Sequence, residues 1–190
     1  MLTKLRNKFR GFRQKFAPAD LWNTEYSSGK WDCLSDMPAD ILYPHVEKYG
    51  ANGSILDIGC GPGATADHVK GYTSYLGVDI SEVCVEKARL RVPSAKFVTG
   101  NITTYFPEFL YDVIILADAL YYVPKSRLDD VLNRLLDHLT PRGVIIVRTR
   151  DDAGRHKPLL QKLESEFAIL EKHLYWEDRL SVLIFRGRSR

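Results

Sequence analysis

Cysteine is scarce in this chain. Cys33, Cys60 and Cys84 are an odd number with no Cys-x-x-Cys spacing, which argues against a disulfide framework and against a zinc site. Long apolar runs are also missing. The longest clear one, Val113-Ile114-Ile115-Leu116-Ala117, falls far short of the roughly 18 residues that cross a bilayer. The first residues hold no apolar stretch of about 7–15 residues, as a secretory signal requires. Internal repeats and low-complexity stretches are absent. These absences predict a reduced, cytoplasmic protein of one domain. At 190 residues, with 45% apolar and 27% charged content, the composition is that of an ordinary globular chain.

Charge of one sign is concentrated at the start. The net charge is +3, but residues 1–16 carry six bases and no acid, leaving 21 bases against 24 acids elsewhere. Among those bases Leu2, Leu5, Phe9, Phe12 and Phe16 recur at steps of three and four, forming one stripe of a helix. Ala17-Pro18 ends it. Residues 1–18 therefore read as a basic amphipathic segment and 19–190 as the domain proper. The stripe suits packing on its own domain, or peripheral contact with an anionic membrane or a partner. The mildly acidic remainder disfavours nucleic acid, because a phosphate-tracking surface needs bases on the fold itself.

After an aromatic stretch with Trp22, Tyr26 and Trp31, a helix is expected from Asp36 to Tyr49, kinked or broken at Pro44. Strands and helices then alternate. Strands are expected at Ser54–Ile58, Tyr75–Val78, Lys96–Val98, Tyr111–Ala117 and Val144–Val147. Helices are expected at Ala64–Lys70, closed by Gly71, from Ser81 to about Leu90, and from Pro158 to Glu166. Another opens at Ser126 with Asp129 three residues on, its apolar face being Leu128, Val131, Leu132, Leu135 and Leu139. Ala168–Tyr175 and Leu180–Arg186 suit a closing hairpin. Such alternation specifies a parallel α/β sheet with an antiparallel strand added last.

The informative segment is Ile55-Leu56-Asp57-Ile58-Gly59-Cys60-Gly61-Pro62-Gly63, where the first sheet strand runs into glycines. Open α/β sheets bind ligands at such carboxyl ends. Gly59, Gly61 and Gly63 allow a tight turn and close approach of a ligand to backbone. Asp79 ends the second strand, twenty residues after Gly59, where a carboxylate can accept from ribose hydroxyls. Two cofactors suit this pattern. A dinucleotide would place its pyrophosphate at the helix start, although Asp57 would then add negative charge beside it. S-adenosylmethionine, with an amino group and a sulfonium, would favour Asp57.

With these motifs the sequence resembles the class I S-adenosylmethionine-dependent methyltransferases over about residues 36–186. The resemblance implies a Rossmann-like, seven-stranded, mostly parallel sheet with an antiparallel C-terminal strand and helices on both faces. It implies S-adenosylmethionine as cofactor, with Asp57 and the Gly59–Gly63 loop at its methionine part, Asp79 at its ribose and Ile80 on its adenine. Asn101 stands where the family usually has an acid. Its amide oxygen is expected to accept from the adenine amino group, with Ile102 as the next apolar contact. Ala117, Tyr26 and Trp31 complete the expected cofactor site, the aromatic segment folding over it.

The acceptor is expected beyond the fourth strand, where Asp118, Tyr121 and Tyr122 are the candidate catalytic residues. Arg148 and Arg150 can receive a carboxylate or phosphate, or pair with Asp151 or Asp152. His156 is a further candidate base. Asp118 with Asp151-Asp152 only loosely resembles the acids of metal-dependent catechol-type enzymes, and no metal is expected. The reading is methyl transfer to oxygen or nitrogen of a small molecule. Its rivals are methylation of a macromolecule and a non-enzymatic adaptor that retains the fold.

Overall fold

The structure is a computed structural model that describes residues 18–31, 41–151, 153–175 and 179–188. The basic segment of residues 1–16 and the expected helix start at Asp36 lie outside the described residues. Helix α1 (Ala19–Ser27) precedes α2 (Tyr43–Gly50). The alternating part then runs β1 (Ser54–Ile58), α3 (Ala64–His68), β2 (Ser74–Asp79), α4 (Glu82–Arg91), β3 (Lys96–Thr99) and β4 (Tyr111–Ala117). After a short turn of 3-10 helix at Leu120–Tyr122 come α5 (Lys125–Leu136), β5 (Leu139–Arg150), α6 (Lys157–Glu166), β6 (Phe167–Tyr175) and β7 (Leu180–Arg188).

The seven strands lie in the order β3-β2-β1-β4-β5-β7-β6. β1 pairs in parallel with both β2 and β4, and β7 lies antiparallel between β5 and β6. Strand order reverses direction between β1 and β4, which opens a crevice at their carboxyl ends. β4 is buried on both faces. Its Ile114 and Leu116 pack with Leu128, Val131, Leu132 and Leu135 of α5. Val113 and Ile115 face the opposite layer, with Val46 of α2 and Val85 and Ala88 of α4. The two-residue period of a strand thus feeds two apolar layers, which explains the unbroken Val-Ile-Ile-Leu run.

Several local expectations are corrected. Of the kink or break expected at Pro44, the described residues show a helix start: α2 begins at Tyr43 with Pro44 in its first turn, where a missing N–H leaves no bond unmade. Ser126 does not cap α5. The helix starts one residue earlier, after Pro124, with no side-chain cap. Leu139 belongs to β5 rather than to the α5 face. α3 ends at His68, short of Lys70, because Val69 is already extended. Ser81 does cap α4, its Oγ accepting from Cys84 N at 3.3 Å.

Candidate active site

At the reversal of strand order lies a cavity of about 250 Å³. The β1 carboxyl end brings Asp57 to its floor. That side chain is 1% exposed. Tyr75 donates its hydroxyl to Oδ2 at 2.5 Å, whereas the buried Oδ1 has no hydrogen-bond partner among the described residues. Burial pushes the Asp57 carboxyl up to about 7, opposed by the Tyr75 bond and reinforced by the charge of Asp79. A carboxylate so placed favours a cationic or donating ligand group.

Asp79 ends β2 and does structural work as well. Oδ2 accepts from Gly61 N and Oδ1 from Ser81 N, each at 2.9 Å. It thereby ties the glycine loop to the start of α4. Burial raises its carboxyl, and the backbone donors partly offset that rise. The loop glycines divide into two kinds. Gly59, at φ +82°, lines the cavity, and a Cβ there would come within 2.7 Å of Ala119 Cβ. Gly63, at φ +81°, does not line it. A Cβ on Gly63 would meet Ala88 of α4 at 3.1–3.2 Å, so this glycine serves helix packing rather than the cavity wall, a correction to its expected place.

Ile80, Asn101, Ile102, Ala117, Tyr26 and Trp31 all line the cavity, as do Gly61 and the three acceptor-side candidates. Asn101 requires a second correction. Its Oδ1 accepts from Thr103 N at 2.9 Å and Thr103 Oγ1 at 2.8 Å. Both acceptor directions of that oxygen are committed, so it is the amide NH₂ that remains for a ligand. The Thr103 N–H is an unambiguous donor and fixes the orientation of the amide.

α1 covers the opening. Trp22 and Tyr26 lie one helical turn apart and both face the cavity. Trp22 meets the Tyr122 ring edge-on at 5.2 Å. Asn23 Oδ1 accepts from Ser81 Oγ at 2.8 Å, and Lys87 Nζ donates to the Tyr26 carbonyl at 2.9 Å. The helix is therefore fastened to α4.

On the acceptor side Asp118 adopts φ +53°, a left-handed conformation that is strained for most residues and tolerated best by Asp and Asn. Its Oδ2 receives Arg148 Nε at 3.0 Å and Nη2 at 2.7 Å, and its Oδ1 accepts from Arg150 N at 2.8 Å. Arg148 therefore pairs with Asp118, not with Asp151, one of the two partners expected for the arginine pair; the other, Asp152, lies outside the described residues. The Asp151 carboxylate instead gathers the backbone N–H groups of Ala153, Arg155 and His156. Burial, then the Asp118 charge, holds the Tyr121 phenol well above its ordinary value. Burial likewise lifts Tyr122, to about 12. Both phenols are therefore held in the protonated form at neutral pH. His156 stacks on Tyr121 at 4.2 Å between centroids, and burial lowers its imidazole.

Sequence reading missed Tyr75, which orients Asp57, and it missed Ile41, Tyr43 and Leu180 in the cavity wall. Tyr75 begins the expected second strand, yet only the β1–β2 register sets it beside Asp57. Nothing in the sequence marks the other three as wall residues.

A mostly parallel sheet with this strand order, an antiparallel β7 and an acid-flanked glycine loop is the fold of the class I S-adenosylmethionine-dependent methyltransferases. Residues 55–143 match the family model of a methyltransferase domain. Trans-aconitate 2-methyltransferase of Enterobacter sp. (strain 638) is 32% identical over 57% of this chain and 43% of its own length. The Rhizobium rhizogenes enzyme of the same name is 27% identical over 67% of this chain and 48% of its own. The chain thus spans about half the length of the curated relatives it matches. Among solved structures, the N-methyltransferase NodS from Bradyrhizobium japonicum WM9, in complex with S-adenosyl-L-homocysteine, superposes with a TM-score of 0.69 at 16% identity, over 87% of this chain and 98% of that one. A TehB-like methyltransferase from Corynebacterium glutamicum also gives 0.69, at 18% identity, over 86% and 97%.

Proposed function

We propose that this chain transfers a methyl group from S-adenosylmethionine to a carboxylate oxygen of a small organic acid. The observation that carries the cofactor is the buried Asp57 Oδ1, which has no donor among the described residues, set in a cavity beside Asp79 and a bare glycine backbone. That donor-seeking oxygen suits an amino group, and Asp79 retains lone pairs for ribose hydroxyls. Ile80 and Ile102 would hold the adenine, and the Asn101 NH₂ would donate to it. When bound, S-adenosylmethionine supplies an activated methyl group.

Of the residues at the acceptor end, Asp118, Tyr121 and Tyr122 would orient a substrate rather than deprotonate it, and the candidate base His156 is not in the cavity wall. Asp118 is engaged by Arg148, and the Tyr121 and Tyr122 phenols remain protonated. An acceptor that is already ionised at neutral pH needs no base, which favours a carboxylate over an amine or alcohol. Arg148 and Arg150, both in the cavity wall, would attract that anion. The names of the trans-aconitate 2-methyltransferase relatives support the same acceptor class. Tyr26, Trp31 and Trp22 would exclude water.

The test is a panel of small di- and tricarboxylic acids, amines and phenols incubated with labelled S-adenosylmethionine. Ester products from acids alone are expected. Products from amines alone would overturn the carboxylate reading. Cofactor binding without turnover of any acceptor would favour an adaptor.

We infer cytoplasmic action from the reduced-cysteine pattern, and Cys60 and Cys84 are both free. We infer, on sequence alone, that residues 1–16 make a peripheral contact with an anionic membrane or with a partner. Equal co-sedimentation with anionic vesicles of the full chain and a chain begun at Pro18 would remove the membrane contact.

A further inference from the structure

A second group of polar side chains lies away from the cavity, where α2 meets the sheet edge. β6 is the edge strand, and Glu171 and His173, two residues apart, project from one face of it. α2 brings His45 to the same place. Glu171 Oε1 is held by Lys48 Nζ and by the Tyr49 hydroxyl, both from α2. Glu171 Oε2 lies 2.9 Å from His173 Nε2 and 3.8 Å from His45 Nδ1. The two imidazole centroids are 4.4 Å apart. One ligand atom from each of the three residues falls within 4.8 Å of the others, and all three residues are half-buried.

We propose that His45, Glu171 and His173 form a binding site for a divalent transition-metal ion of the zinc class. Metal–ligand bonds of about 2.0–2.2 Å at a tetrahedral angle set neighbouring ligand atoms about 3.3 Å apart. The observed separations bracket that distance, so small side-chain shifts admit an ion, with a fourth position left for water. Two imidazoles and one carboxylate select zinc, cobalt or nickel over magnesium or calcium, which require mostly oxygen donors. Lys48 reinforces that choice by neutralising part of the Glu171 charge.

The outer contacts that metal ligands need are in place. Lys48 and Tyr49 fix the carboxylate through the oxygen that faces away from the imidazoles. Tyr175 Oη lies 3.3 Å from His45 Nε2, the ring nitrogen opposite the proposed ligand atom. None of the three ligands lines the cavity. The ion would staple α2, whose Tyr43 does line it, to the edge strand.

The test uses the full chain after chelator treatment, titrated with Zn²⁺ in a calorimeter and with Co²⁺ in a spectrophotometer. One saturable equivalent of zinc, visible cobalt d–d bands and no heat from Mg²⁺ are expected. Zinc at a hundredfold excess over its Kd should raise the melting temperature by about 5–10 °C. His173→Ala, on an edge strand, and Glu171→Gln, which keeps an acceptor for Tyr49, should each weaken zinc at least about tenfold. Circular dichroism checks that both variants remain folded. Absence of saturable zinc binding by the wild type overturns the proposal. Zinc affinity and cobalt spectra unchanged in both variants also overturn it, because the ion then sits elsewhere.

Discussion

Asp57 sets a conflict between stability and binding. Its carboxyl is raised to about 7 by burial, above its unfolded value near 3.9. The native state therefore holds a proton that the unfolded chain has lost, so stability falls as pH rises from about 4 to about 7. Asp57→Asn removes that penalty. The ligand-free variant should melt higher than wild type at pH 8, with the difference vanishing near pH 4. The same variant should bind S-adenosylmethionine at least about tenfold more weakly. Calorimetry from pH 5.5 to 7.5 should show wild-type affinity rising with pH and the variant nearly flat. Asp118→Asn separates charge from conformation, since Asn tolerates the same left-handed backbone. With Arg148 holding the carboxylate, a roughly tenfold loss of turnover at unchanged cofactor affinity is expected. A loss of about 10²–10⁴ would instead assign general-base work to Asp118.

The glycine loop shows how much of an element can be read from its sequence. Its position between β1 and α3, the ends of β4 and the capping of α4 by Ser81 are all legible, because strand period and turn chemistry are local. The separate duties of its glycines are not, because Gly63 faces Ala88, twenty-five residues away, through the packing of α4. Gly63→Ala and Gly71→Ala isolate that packing. Both positions have φ near +80°, yet a Cβ at Gly71 meets nothing within 4 Å. Denaturant unfolding should show a loss of about 1–2 kcal/mol for Gly71→Ala, from backbone strain alone, and a larger one for Gly63→Ala. Equal losses would mean that α4 yields without cost. Arg148 followed the same logic at longer range. Asp151 is its near neighbour in the chain, but the β4–β5 register sets Arg148 against Ala117 and hence beside Asp118.

For the whole molecule, the mostly parallel sheet and the burial of β4 on both faces were legible because alternation and an unbroken apolar strand leave few architectures. The strand order was not read from the residues, nor was the meeting of α2 with β6, since His45 and His173 are joined only by the completed fold. Whole-chain stability gives a direct test of cofactor choice. S-adenosylmethionine or its demethylated product, at a hundredfold excess over Kd, should add about 2.7 kcal/mol of stability, and NAD none. A melting shift with NAD alone would contradict the cofactor assignment.

The fastening of α1 to α4 has a kinetic consequence. Asn23 and Lys87 tie the helix that carries Trp22 and Tyr26 into the cavity wall to the element that begins just after Asp79, so a cofactor held at Asp57 and Asp79 would be closed in by a helix fastened at two points. Its residence time then depends on how often the two bonds open together. Asn23→Ala should accelerate dissociation of the spent cofactor several-fold in stopped-flow measurements while barely changing its association rate. If departure of that product limits the cycle, the same substitution makes each turnover faster although it makes binding weaker.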